Sequence, residues 1–454
     1  MAHAGVTAVA AATPRSGEFA ASDTYRRYVL GLLFVVYVVN FIDRSVLNIL
    51  LEPIKREFSP SDTALGFLSG VAFAIFYATL GIPIARWADR GVRRDIIALA
   101  LVLWSGMTAL CGLARTFGQL VLARIGVGVG EAGCSPPAHS VISDYYPPER
   151  RGTAFAIYAL GIPIGTAFGF FAGGWMAETL GWRAAFLFVG LPGIALALLV
   201  RLTLREPPRG HSEARGDAGP APEPMLVIRA MWRIASFRHL AAAAALHAFV
   251  GYGVAAWNAA FLIRTHGMSV GAVGTWIAGI AIVGGGLGTF LGGYLADRLT
   301  PRDARFSLWV PGASTLLAVP FAVSFYLLPD VRVALAIAGI PVFFGAMYLG
   351  PTFAITQALA PLRMRAVASA FLLFLINLIG MGLGPQVVGI ASDLLAPSLA
   401  RNSLRGALVM TVAFNFWSGL HYFLGARTLV DDLAGAEDAH RFGKNPAGPP
   451  RVGR

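Results

Sequence analysis

The chain has 454 residues, of which 56% are hydrophobic and only 13% are charged. A soluble globular protein carries roughly 25% charge, so this composition excludes one and describes an integral membrane protein. The net charge of +12 does not imply nucleic-acid binding, because the arginines lie in loops between apolar runs, where membrane topology accounts for them. The two cysteines, Cys111 and Cys134, fall inside apolar runs, which excludes a disulfide framework or a thiolate metal site.

Residues 1–25 are small and polar without a clear cleavage site and read as a disordered cytoplasmic tail. A membrane span needs about 20 mostly apolar residues. The first six such runs are 28–50, 64–86, 96–114, 117–142, 152–177 and 184–203, forming one bundle over 26–204. A linker follows over 205–238, rich in proline and glycine, whose second part, Met225 to Phe237, suits a short interfacial helix. The next six runs are 240–263, 270–296, 306–328, 331–357, 366–391 and 405–426, a second bundle over 239–428. Residues 429–454 read as a second disordered tail. The predicted fold is therefore all-α, with twelve transmembrane helices in two six-helix bundles. With the N-terminus inside, 26 of the 36 Lys and Arg fall on the cytoplasmic side and 8 on the other. Both termini are thus expected in the cytoplasm.

Ala88-Asp89-Arg90 closes the second run and Ala296-Asp297-Arg298 closes the eighth, each followed by further arginines. A motif that recurs once per half marks two similar bundles, the plan of a secondary transporter with its site between the repeats. Asp89, Arg90, Arg93, Asp297 and Arg298 are read as gating residues. Arg90, Arg93 and Arg94 are expected to pair with Asp144 or Glu149 and so latch the two bundles together.

Four ionisable residues lie deep in spans: Asp43 and Arg44 in the first, Arg124 and Glu131 in the fourth. Charges there are expensive and mark a functional site. Asp43 and Glu131 are the proton-coupling candidates. Arg44 and Arg124 are candidate substrate contacts, with Glu131 as the partner of Arg124 when the site is empty. The second half has no matching charges. Its spans supply aromatic and amide groups, of which Tyr348, Phe374 and Asn377 are the substrate-binding candidates; His247 is expected near a span end. A cavity charged on one side and apolar on the other suits an amphiphile. The glycines of span five, Gly161, Gly165, Gly169, Gly173 and Gly174, are expected to meet the other half. No nucleotide motif or metal-ligand cluster occurs, so no cofactor and no enzymatic activity are expected, and a proton gradient is the energy source.

The two Asp-Arg loops and the glycine-proline pattern of span five resemble the major facilitator superfamily, although Ala85 stands where that family often has glycine. Asn40-Phe41-Ile42-Asp43-Arg44, Arg124 to Ala132, Tyr145 to Gly152 and Ala159 to Gly165 are similar to bacterial members of its Spinster group. That resemblance implies proton-linked transport of lysophospholipids or sphingosine phosphate, with Asp43 as the proton site and Arg124 and Glu131 as the charged pair. It also implies a monomer in the bacterial inner membrane whose partners are protons, bilayer lipid and an amphiphilic small molecule. Similar motifs in organic-anion symporters leave a small carboxylate or sugar acid as the alternative substrate. A non-transporting receptor or scaffold is the alternative outside transport.

Overall fold

Capping residues set the ends of many helices. Ser22 accepts a hydrogen bond from Tyr25 N to start the first span, Asp23–Phe58, and Ser59 ends it in the left-handed region at φ 52°. Ser61, Thr116 and Ser269 cap the starts of the second, fourth and eighth spans in the same way, and Gly267 at φ 66° ends the seventh. The computed structural model describes residues 21–88, 90–209, 223–361 and 364–442. Asp89 lies outside the described residues.

Ten helical stretches are long and apolar enough to cross a membrane. The last, Val367–Ala436, contains a reversal at Ala400, whose φ is 46°, and so holds two helices, spans eleven and twelve. Phe117–Glu131 and Ser135–Tyr145, separated by one irregular turn, together make span four. The twelve expected spans are therefore all present, and every regular element among the described residues is helical. An even number of spans puts the start of the first and the end of the last on one face, called here the terminal face.

Both outermost helices run past their expected limits. Span one begins at Asp23, and span twelve continues to Phe442 through a stretch expected to be tail. The extension has a physical cause. Leu429 is buried there, and Asp432 accepts a hydrogen bond from Ser236 N at 2.8 Å, capping the start of span seven, Ala235–His266. Between the halves, Pro224–Arg233 forms the expected amphipathic helix, shorter than Met225 to Phe237, with Val227 and Met231 buried beside Phe237.

Most span-five glycines do not meet the other half. Gly165 and Gly169 sit on the Val38 and Ile42 carbonyls of span one, and Gly173 lies against Val46. Only Gly174 faces the second half. The three thus pack spans one and five of the same bundle closely, because a side chain would collide with backbone at Gly165 and Gly169 and with the Val46 and Ile49 side chains at Gly173. Since Ile42 precedes Asp43, this packing also holds the first charged residue in place. Gly169→Val should force span one outward and lower the apparent melting temperature in detergent, by about 1–3 kcal/mol of overpacking. Gly81→Ala, with open space around it, should leave the melting curve unchanged.

Candidate functional site

Neighbouring residues on a helix project about 100° apart, so Asp43 and Arg44 reach different partners. Asp43, 1% exposed, accepts from the Thr108 hydroxyl of span three and pairs with Arg124 Nη1 at 3.3 Å. Arg44 Nε donates to Glu131 Oε2 at 2.6 Å. The two arginines straddle one ring, Phe73 of span two, at 5.1 Å for Arg44 and 4.8 Å for Arg124. Arg44 also lies over Tyr77 at 4.6 Å and Phe41 at 5.1 Å.

This corrects the expected pairing. Arg124 is the partner of Asp43, not of Glu131, and Glu131 instead balances Arg44 across the bundle. Accessibility also ranks the arginines differently. The Arg44 side chain keeps 16% exposure, whereas Arg124 keeps 4%. Of the two guanidinium groups, that of Arg44 is the more accessible. Two atoms have no hydrogen-bond partner, Glu131 Oε1 and Arg124 Nε. Each carboxylate of the set therefore has a single arginine as counter-charge.

A cavity of about 440 Å³ lies mostly within the second half, with Thr166 and Phe170 of span five closing one side of it. Its wall is largely apolar, with Phe170, Val250, Leu262, Ile277, Phe325 and Val342 among its residues. Polar groups are few: Tyr252, Asn258, Tyr326, Tyr348, Asn415 and His247. Tyr348 is where a binding residue was expected. Asn377 is buried in a π-helical stretch of span eleven, Ile376–Leu383, and Phe374 is half-buried; neither lines this cavity. Tyr252 of span seven lies on the cavity wall.

His247 is in the middle of span seven, not near its end. Its Nε2 donates to the Gly345 carbonyl at 2.8 Å, since a carbonyl only accepts. In the neutral ring Nδ1 then accepts from Thr315 Oγ1 at 3.2 Å. The Gly345 carbonyl is available because span ten breaks at Met347 and Tyr348, between Val331–Ala346 and Leu349–Leu359. Such interrupted helices put free backbone groups beside transporter cavities.

The gating residues fall elsewhere than expected. Arg93 does bind Asp144, but it also binds Glu206 at 2.7 Å, and all three lie on the first half and its adjoining linker. That cluster braces one bundle and cannot latch two. Arg94 pairs with Asp95 at 2.9 Å. Arg90 and Asp297 are exposed without ion pairs among the described residues, and Arg298 meets Tyr294 in its own helix at 3.3 Å. Among the described residues, polar contacts between the halves gather on the face opposite the termini. Arg264 of span seven binds Glu52 at 2.5 Å and Asp62 at 2.7 and 2.9 Å, while Lys55 binds Asp62 at 2.5 Å. The only sequence trace of this cluster is that its acids and bases end their spans on the same side.

The helices and this buried charge set define a membrane transporter, and the comparisons agree: the chain belongs to the major facilitator superfamily, whose family model matches residues 33–385. It is a transporter of the Spinster type and not an enzyme. An MFS-type efflux pump of Mycolicibacterium smegmatis is 36% identical over 85% of this chain and 88% of its own length. Protein spinster homolog 1 of Homo sapiens is 29% identical over 88% of this chain and 78% of its own. The crystal structure of a bacterial homolog to the human lysosomal transporter Spinster, in an inward-facing and unoccupied conformation, is 37% identical. It superposes with a TM-score of 0.85 over 91% of this chain and 99% of that one.

Removing one member of a buried ion pair strands the other, at about 3–5 kcal/mol. Arg124→Ala should therefore lower thermal stability through Asp43, and adding Asp43→Asn should restore most of the loss. Restoration by Glu131→Gln in its place would contradict the crosswise pairing.

Proposed function

We propose that this protein is a proton-coupled symporter for an amphiphilic, lipid-like anion of the lysophospholipid or sphingosine-phosphate type. It works by alternating access, as a monomer, in the bacterial inner membrane with both termini in the cytoplasm. The observation that carries the reading is one pairing: a formally neutral set of four charges inside the first bundle, and a largely apolar 440 Å³ cavity walled mostly by the second. An apolar chain fits the cavity wall, and an anionic headgroup fits the accessible Arg44. A small carboxylate would leave that wall unfilled, which counts against the alternative. The motif resemblance to the Spinster group is what implies the lipid class, and the strong Lys and Arg bias supports the orientation.

The charge set supplies a coupling mechanism. An anion binding Arg44 competes with Glu131 for the same guanidinium. Released from its one counter-charge, a carboxylate in a dry bundle is unstable as an anion and takes up a proton. Substrate and proton then occupy the same state and move together. Asp43 and Arg124 form the second pair, in which Asp43 is the other carboxylate able to take up a proton if its arginine is drawn away.

The linkage has a definite sign. If the anion and a proton are taken up together, anion affinity should rise as pH falls. Titration of a lysophospholipid by thermal shift in detergent, against a dicarboxylate panel, measures this, because a ligand bound to the folded state raises its stability. Glu131→Gln should flatten the pH dependence while keeping affinity high. Arg44→Ala should lose roughly ten- to hundredfold in affinity, the worth of a charge-assisted contact. Asp43→Asn should fold and bind but not accumulate substrate against a gradient in proteoliposomes. Binding that ignores pH in the unmodified protein would refute the coupling.

A further inference from the structure

The two halves meet along two seams, and on the face opposite the termini these seams are built alike. In one, span five of the first half packs on span eight of the second. In the other, span eleven of the second half packs on span two of the first. Phe170 and Pro385 each offer a carbonyl to a glycine across the seam, Gly274 and Gly66 respectively. Four residues later in each helix come Gly174 and Gly389, which sit on the Val270 and Asp62 carbonyls. Four residues later again come Glu178 and Asp393.

Each of these carboxylates crosses to the first turn of the facing helix. Glu178 Oε2 accepts from Gly271 N at 2.6 Å. Asp393 accepts from Asp62 N at 3.1 Å and Thr63 N at 2.7 Å. Both receiving helices already have a serine cap, Ser269 and Ser61, which satisfies the amide three residues on. The carboxylates from the other half take amides that the serines leave free. A negative charge is favoured at that position by the helix dipole as well.

We infer that Glu178 and Asp393 are a pair of duplicated latches that hold this face of the transporter shut. They act as positioning residues: neither touches the charge set or the cavity. When the face opens, each carboxylate must leave its helix start for water, and the amides it covered are exposed. The two latches differ in strength. Glu178 is solvent-exposed and its seam adds one further bond, Trp175 Nε1 to Thr275 Oγ1 at 3.1 Å. Asp393 is less exposed and lies beside the Arg264, Asp62, Lys55 and Ser392 cluster. The span two and eleven seam is the tighter one.

The inference rests on alternating access but not on the identity of the substrate or on proton coupling, so it is tested without either. Spin labels at Arg115→Cys and Arg401→Cys, both exposed on this face and on different halves, report its width; the native cysteines are buried. In ligand-free protein, Glu178→Ala and Asp393→Ala should each raise the population of longer distances, Asp393→Ala more. Asp330→Ala is the control. Asp330 caps its own helix on the same face, through Arg332 N at 2.7 Å, without crossing a seam, so the distribution should stay as it was. If an alanine variant does not fold, Glu178→Gln and Asp393→Asn remove the charge and keep an acceptor, and should give a smaller shift of the same sign. Unchanged distances in both crossing variants, or an equal shift in Asp330→Ala, would overturn the inference. Loss of transport with an unshifted distribution would likewise assign these residues another role.

Discussion

The crosswise pairing of Asp43 with Arg124 and of Glu131 with Arg44 is the constraint on which the first half depends. Four charges in an apolar bundle are tolerable only if each finds its opposite, since the desolvation cost of one unpaired ion is several kcal/mol. Meeting that condition ties spans one and four together, with Thr108 of span three and the Phe73 ring of span two completing the enclosure. The glycine contacts between spans one and five then follow, because they set the depth of the helix that carries Asp43 and Arg44. One pairing rule thus accounts for the arrangement of four helices.

The second half answers with different chemistry on a similar frame. Where the first half has ions, the second has a cavity with an apolar wall and a few neutral polar groups, organised by His247 between Gly345 and Thr315. The break in span ten at Met347 and Tyr348 frees the carbonyl that orients this ring. The charged part lies in the first bundle and most of the apolar wall in the second.

That seam is closed on the face opposite the termini by ions and by carboxylate caps on helix starts. On the terminal face the ion cluster around Arg93 stays within the first half and its linker. The polar contacts between the halves are therefore unevenly divided between the two faces, as expected of a molecule caught in one state of a rocking cycle.

The sequence by itself determined the class, the twelve spans and the four deep charges. These follow from local quantities: the length of apolar runs, the cost of a charge in hydrocarbon, and a motif that repeats. The caps that Ser61, Thr116 and Ser269 place on helix starts are local chemistry of the same kind. Which acid meets which base was not legible, because Arg44 and Glu131 are far apart in the chain and their meeting depends on how spans one and four are rotated. The same holds for Arg93, whose partner Asp144 was foreseen while its confinement to one half was not. The cavity, the mid-span place of His247 and the carboxylates that cross the seams are likewise products of packing. A hydropathy pattern records which side of a helix is apolar, but only the assembled bundle decides which residue stands opposite.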